Sequence, residues 1–237
     1  MTTGTTSSLN VECNTEDFRE FELLSKLMKP KTYIKNSTIY CEGDPLTHLY
    51  YVQEGSVKLS KVSDDGKDLI MHYFFPGDLF GEYRTFGEQK ATFSAEAVET
   101  CKIGVISLEQ INDVISQHGS LGISFSEWLS KMQWYTQLKL RDILFHGKNG
   151  ALASTLIRAA NTFGLQEGDK IVIAHKLTNY DLANLIGATR ETVNRLMSQF
   201  QKEQLIEVHH SRIVITNLNE LKKVCHCEHC PVAICRL

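Results

Sequence analysis

Four of the seven cysteines lie within the last thirteen residues of this 237-residue chain, spaced Cys225-x-Cys227-x2-Cys230-x4-Cys235. Soft thiolates in such a run suit iron–sulfur clusters and zinc alike. Two residues between Cys227 and Cys230 let both sulfurs reach one metal centre. Four more let the chain loop back and present Cys235. Neighbours this close pair poorly, and Cys13, Cys41 and Cys101 are scattered, so a disulfide framework is excluded. Two readings stand. Four cysteines, or three with His226 or His229, close a structural zinc site; alternatively they hold an oxygen-labile cluster.

A second constellation is Gly187-Ala-Thr-Arg-Glu-Thr-Val-Asn-Arg195. On a helix, Arg190, Glu191 and Arg195 fall within about 140° of one another, in its first turns. Arginine matches the guanine O6/N7 pair by a bidentate contact, and glutamate accepts from cytosine N4. Thr189 and Thr192 suit phosphates, which set register without reading sequence. Val193, Leu196 and Phe200 would anchor the opposite side. The competing reading is a plain surface helix with an i,i+4 Glu191–Arg195 pair.

The flanking pattern decides for DNA. Thr178 with Asp181 reads as a capping box opening a helix buried through Leu182, Leu185 and Ile186. Gly187-Ala188 turns the chain, and Thr189 caps the next helix to about Lys202. Leu205–Val208 and Ile213–Ile215 then form a two-stranded wing around His209-His210-Ser211. Helix, short turn, helix and hairpin make a winged helix-turn-helix.

Upstream, short strands between turn residues run from Tyr33 to about Ile106, with Asp64-Asp65-Gly66 as a hairpin turn and Pro76-Gly77-Asp78 as a break. They predict an antiparallel barrel or roll. Helices follow over Leu108–Ser116 and from Leu121 to about Phe145. On the long one Leu121, Phe125, Trp128, Met132 and Tyr135 recur at 4, 3, 4, 3, an a/d seam that predicts a second helix and hence a homodimer. The alternative packs that stripe on its own barrel. Gly147-Lys-Asn-Gly150 reads as a hinge. The expected class is α+β: a flexible tail over 1–20, a β-roll over 21–115, a dimerisation helix over 116–147, a winged helix-turn-helix over 148–224 and a Cys-rich tail over 225–237.

Composition sets the limits. The net charge of −3 argues against a general polyanion binder. Residues 1–149 carry 15 Lys+Arg against 20 Asp+Glu and residues 150–237 carry 10 against 8, so a nucleic-acid surface belongs in the C-terminal third. No apolar run spans a bilayer and no secretory signal opens the chain, which reads as cytoplasmic with no membrane partner. No enzymatic constellation, Gly-rich nucleotide loop or second cluster motif stands out, so an electron-transfer protein is the weaker rival class.

Ala188-Thr-Arg-Glu-Thr-Val-Asn-Arg195 resembles the recognition-helix signature of the Crp/Fnr family of bacterial transcription regulators, and the likeness spans most of the chain. It implies a cyclic-nucleotide-type β-roll, a dimerisation helix, and Arg190, Glu191 and Arg195 reading TGTGA-like halves of a palindrome in double-stranded DNA. It also implies an activator that recruits RNA polymerase. Cyclic-nucleotide binding is not expected. Gly81-Glu82 matches the family's Gly-Glu pair, but Gln89-Lys-Ala-Thr-Phe-Ser94 lacks the arginine that holds the phosphate, and neither Arg84 nor Lys90 sits in its place. The tail resembles the C-terminal Cys-x2-Cys-x4-Cys of Bacillus-type Fnr proteins rather than the enterobacterial pattern. That resemblance implies a 4Fe-4S cluster on Cys227, Cys230, Cys235 and Asp142, with Cys225 spare, and oxygen control of anaerobic respiration and fermentation genes. Taken by itself, Asp142 reads as a solvated partner of Lys139 or Arg141.

Overall fold

The structure, a computed structural model, describes residues 24, 26–84 and 86–237. The tail expected over 1–20, with Cys13 in it, lies outside the described residues. The chain forms two compact units that divide after Met132.

The first unit holds two four-stranded antiparallel sheets. One orders as β1 (Lys29–Tyr33), β8 (Cys101–Ser107), β3 (His48–Glu54), β6 (Leu79–Phe80). The other orders as β2 (Thr38–Tyr40), β7 (Ser94–Ala97), β4 (Val57–Val62), β5 (Asp68–Phe74). Strands β3 and β8 are buried on both faces: Val52, Cys101 and Ile103 pack with Phe80 in one core, and Leu49 and Ile106 with Leu79 in another. The Asp-Asp-Gly turn closes the β4–β5 hairpin as expected, Ser63 donating its N–H to Lys67 O at 2.9 Å. Tyr40, Tyr50, Phe80 and Phe74 stack in series through the middle, with centroids 5.2–5.3 Å apart.

Helix α1 (Leu108–Gln117) starts from a Ser107–Gln110 capping box. The long helix α2 (Gly119–Phe163) follows. Here the expected dimer seam needs correction. Leu121, Phe125 and Trp128 are buried in a core shared with Leu24, Met28, Leu49, Leu79, Ile106 and Ile111 of the same chain, and Met132 packs against it. Trp128 Nε1 donates to Leu79 O at 3.0 Å. From Leu121 to Trp128 the stripe is therefore the helix's own packing face, because spacing shows which side is apolar and not what covers it. Ile123, about 200° round the helix from Leu121, is 65% exposed. Leu121→Ala should cost about 2–5 kcal/mol of stability in denaturant unfolding while leaving self-association unchanged. A weakened dimer at unchanged stability would restore the seam.

The second unit begins at Gln133, inside α2. The helix breaks at Gly147 alone, with φ 59° and ψ −164°, a region essentially reserved for glycine, and resumes at residue 148. Past the break Ala151, Leu152, Ala153, Leu156, Ile157, Ala159 and Ala160 are all buried. The sheet of this unit has four strands, ordered β11 (Ile206–His209), β12 (Arg212–Ile215), β10 (Lys170–Ile173), β9 (Gly164–Glu167). Only β11 and β12 were expected as the wing; β9 has one apolar residue, Leu165, and gives no alternation to read. His210 and Ser211 both take positive φ, 48° and 64°, forming the two-residue turn between β11 and β12. Helices α3 (Asn179–Ile186), α4 (Arg190–Lys202) and α5 (Leu218–Val224) complete the unit. Among the described residues no helix is long and apolar enough to cross a membrane.

Candidate functional site

Helix α4 is built from both ends of its own sequence. Thr189 caps it by accepting from Thr192 N–H, and Val193, Leu196, Met197 and Phe200 bury its inner side. Helix α3 starts with Thr178 Oγ1 accepting from Asp181 N–H and Asp181 Oδ2 accepting from Thr178 N–H at 2.8 Å, the reciprocal box its sequence predicts. Gly187 ends α3 in the left-handed conformation, φ 59° and ψ 44°. The turn thus fixes the angle between the two helices.

Arg190, Glu191 and Arg195 are all exposed, and the structure gives none of the three a side-chain partner among the described residues. The i,i+4 pair of the competing reading is not formed. Thr189 is exposed and Thr192 half-buried. A groove of about 470 Å³ opens between the start of α3, α4 and the wing, lined by Thr178, Asn179, Asn194 and Ser198 together with the apolar Met197 and Ile213. Asn179 donates to Asn194, joining the start of α3 to the face of α4. Opposite, in the wing, His209 pairs with Glu207 at 2.8 Å and Lys170 with the same carboxylate at 2.9 Å. Exposed charged side chains without partners on an anchored helix are what base reading requires.

The cysteine region lies in the same unit. Asp142 is 1% exposed, not solvated as its isolated reading has it. Its Oδ1 accepts from Arg141 Nε and Nη2 at 3.1 and 2.7 Å, and its Oδ2 accepts from Ser154 Oγ at 2.6 Å and from Arg158 Nη2 at 2.5 Å. Sequence reasoning found Arg141 but missed Ser154 and Arg158, which stand 12 and 16 residues on, beyond a break whose geometry no local pattern encodes.

The tail is fastened on both sides of that break. Tyr135 Oη donates to Ala233 O at 2.8 Å, and Arg141 pairs with Glu228. Past the break, Asn161 Nδ2 donates to Cys235 O at 2.7 Å, and Leu237 N–H to Thr162 Oγ1 at 3.1 Å. Tyr135, expected in the dimer seam, serves here. Cys225 and Cys235 are buried, and Cys227 and Cys230 half-buried. Burial first, then Cys227 and Asp142, push the Cys225 thiol up to about 11. Burial and then Cys230 push Cys235 up to about 12. Asp142 thus bears on Cys225, and Cys227 and Cys230 bear on Cys235.

As a donor set, the thiols of Cys227, Cys230 and Cys235 are of the soft kind that iron–sulfur clusters and zinc both take. One buried carboxylate faces Arg141 and Arg158, and burial followed by Arg158 pushes Lys139 down to about 7. Two arginines thus meet two carboxylates, Asp142 and Glu228, and the depressed Lys139 adds little further positive charge. Among the described residues no three His, Cys, Asp or Glu side chains converge on a point where a single ion could sit.

In the first unit, Glu82 Oε1 accepts from the N–H groups of Thr92 at 2.6 Å and Phe93 at 3.2 Å, and Arg84 pairs with Glu82 at 3.3 Å. The cavity bordered by Tyr40, His48, Tyr50, Glu82 and Ala91 measures about 10 Å³, room for about one water.

Residues 30–118 match the model of the cyclic nucleotide-binding domain, and residues 150–224 that of the Crp-like helix-turn-helix domain. The chain is 35% identical over 219 residues to the anaerobic regulatory protein of Bacillus subtilis, covering 92% of each. The chain belongs to the Crp/Fnr family. It is thus a DNA-binding transcription regulator, as are its named relatives, and not an enzyme. Another relative, 27% identical over 84% of this chain and 89% of its own, is the CRP-like cAMP-activated global transcriptional regulator of Mycobacterium tuberculosis. In fold the chain is similar to FixK2 from Bradyrhizobium japonicum, with a TM-score of 0.71 at 20% identity over 83% of this chain and 96% of that one. Regulators of the Crp family bind DNA and act as dimers.

Proposed function

We propose that this Crp/Fnr regulator senses oxygen through a 4Fe-4S cluster held by Cys227, Cys230, Cys235 and Asp142. As a homodimer it would bind TGTGA-like palindromes through Arg190, Glu191 and Arg195, and recruit RNA polymerase to genes of anaerobic respiration and fermentation in the cytoplasm. The observation that carries this reading is the buried Asp142, which lies in the same unit as the tail and is linked to it through Arg141, the partner of both Asp142 and Glu228. The anaerobic regulatory protein of Bacillus subtilis supports it as a relative.

Bound there, the cluster would supply an oxygen-labile tie with one hard oxygen donor among soft thiolates. The chain's own residues do the rest. Asp142 precedes the break at Gly147, and Ser154 and Arg158 follow it, so whatever engages Asp142 acts on the angle of the helix. Tyr135 and Arg141 hold the tail on one side, Asn161 and Thr162 on the other. In the dimer the two α4 helices must stand about 34 Å apart to enter successive major grooves, and a change of angle spoils that spacing. A second copy would pack on the outward side of α2, where Ile123 is exposed, not on the Leu121–Trp128 side.

A structural zinc tail is the alternative. It asks the tail to fold inward, since a tetrahedral ion needs four donors within about 2.0–2.3 Å. Cys230→Ala should leave a folded dimer that has lost its iron and most specific DNA binding, whereas Cys225→Ala keeps both. Iron, sulfide and zinc analysis of anaerobically purified variants checks this. Iron retained in Cys230→Ala, or zinc found in its place, would exclude the ligand set.

A further inference from the structure

Lys148 is the first residue after the break, and its Nζ donates to Ile186 O at 2.9 Å and to Gly187 O at 2.7 Å. These carbonyls close α3. The last four carbonyls of a helix have no partner inside it, and a cation at that end is favoured. The N–H groups of Gly187 and Ala188 both turn back to Ala183 O. The carbonyls of Ile186 and Gly187 are left to the ammonium. Two residues later Thr189 caps the DNA-reading helix. Lys148 therefore grips the turn that sets the angle between α3 and α4. Its own backbone opens the buried stretch 151–160 of α2.

We propose that Lys148 is a positioning residue for DNA recognition. It fastens the helix-turn-helix turn to the helix just past Gly147, so that a change of angle at the break reaches α4 without slack. Its ammonium is spent on two backbone carbonyls and does not touch phosphate. This inference rests on the DNA-binding role that the family establishes and is independent of the cluster.

The test uses the full-length protein, the duplex that the wild type selects from a random pool, and a scrambled duplex of equal length. Dissociation constants are measured on both over a range of salt, with unfolding followed by circular dichroism. Hydrogen bonds to charged groups are worth enough that Lys148→Met should lose on the order of ten-fold in affinity for the selected duplex. Binding to the scrambled duplex and the salt slope should not change. Lys148→Arg, which keeps the charge and the donors, should recover most of the loss. An equal loss on both duplexes, with the slope reduced by about one, would make Lys148 a phosphate contact and overturn the proposal. Unchanged preference in a folded Lys148→Met protein would overturn it too. If that variant does not fold, Lys148→Gln, which retains one donor, must show an intermediate loss of preference; wild-type preference there has the same force.

Discussion

Asp142→Ala is expected to cost about 3–5 kcal/mol of stability in the metal-free protein, before any cluster is considered. The carboxylate is 1% exposed and accepts from Arg141, Ser154 and Arg158. Truncating it leaves the Arg158 and Arg141 cations, with side chains only 11% and 19% exposed, without their shared anion. Arg141 keeps Glu228, so most of the penalty falls on Arg158. Asp142→Asn keeps the shape and some acceptors but removes the charge, and should fall between wild type and alanine. Denaturant unfolding under metal-free conditions reads this directly. A change within about 0.5 kcal/mol, as at an ordinary surface site, would mean that the network contributes nothing. Iron content of the same variants, purified without oxygen, reads the ligand role separately, and both substitutions should lower it.

The second large effect is on specificity. Arg190→Ala and Arg195→Ala should each cost about 1–3 kcal/mol of binding to the preferred duplex and relax the choice of base at one position per half-site. Both side chains are exposed on a helix whose other side is fully anchored through Val193 and Phe200, so neither change should disturb the fold. Glu191→Ala should act in the same way at a smaller scale. Binding curves on single-base variants of the site check the point. Uniform weakening on all duplexes, with a lower salt slope, would show these arginines to be phosphate contacts only.

The parts of this protein that were legible in its sequence share one property: their signals are local. Thr178–Asp181, Gly187 and Thr189 mark helix ends by capping chemistry that works within four residues, and all three behave as read. The Asp64-Asp65-Gly66 turn is of the same kind. The stripe on α2 was legible as an apolar face, but its partner was not, because Leu49, Leu79 and Ile106 come from strands far off in sequence. The hinge was read as four residues, and only Gly147 leaves the helix; Lys148, Asn149 and Gly150 continue it. Asp142 shows the limit most clearly. Its neighbour Arg141 could be named from sequence, whereas Ser154 and Arg158 meet it only because the helix bends between them. The grip of Tyr135, Asn161 and Thr162 on the tail was hidden for the same reason, since each bonds a residue at least 74 positions away.

The central claim is that the cysteine tail carries an oxygen-labile cluster which controls DNA binding. The most direct test is to purify the full-length protein without oxygen and record its visible spectrum, its iron, sulfide and zinc content and its affinity for the TGTGA palindrome, then repeat each after air. A cluster-bearing tail should give a brown protein with about four irons and four sulfides per chain, as the cluster type requires, that bleaches in air and loses specific binding as it does so. A colourless protein holding one zinc, with the same affinity before and after air, would contradict it.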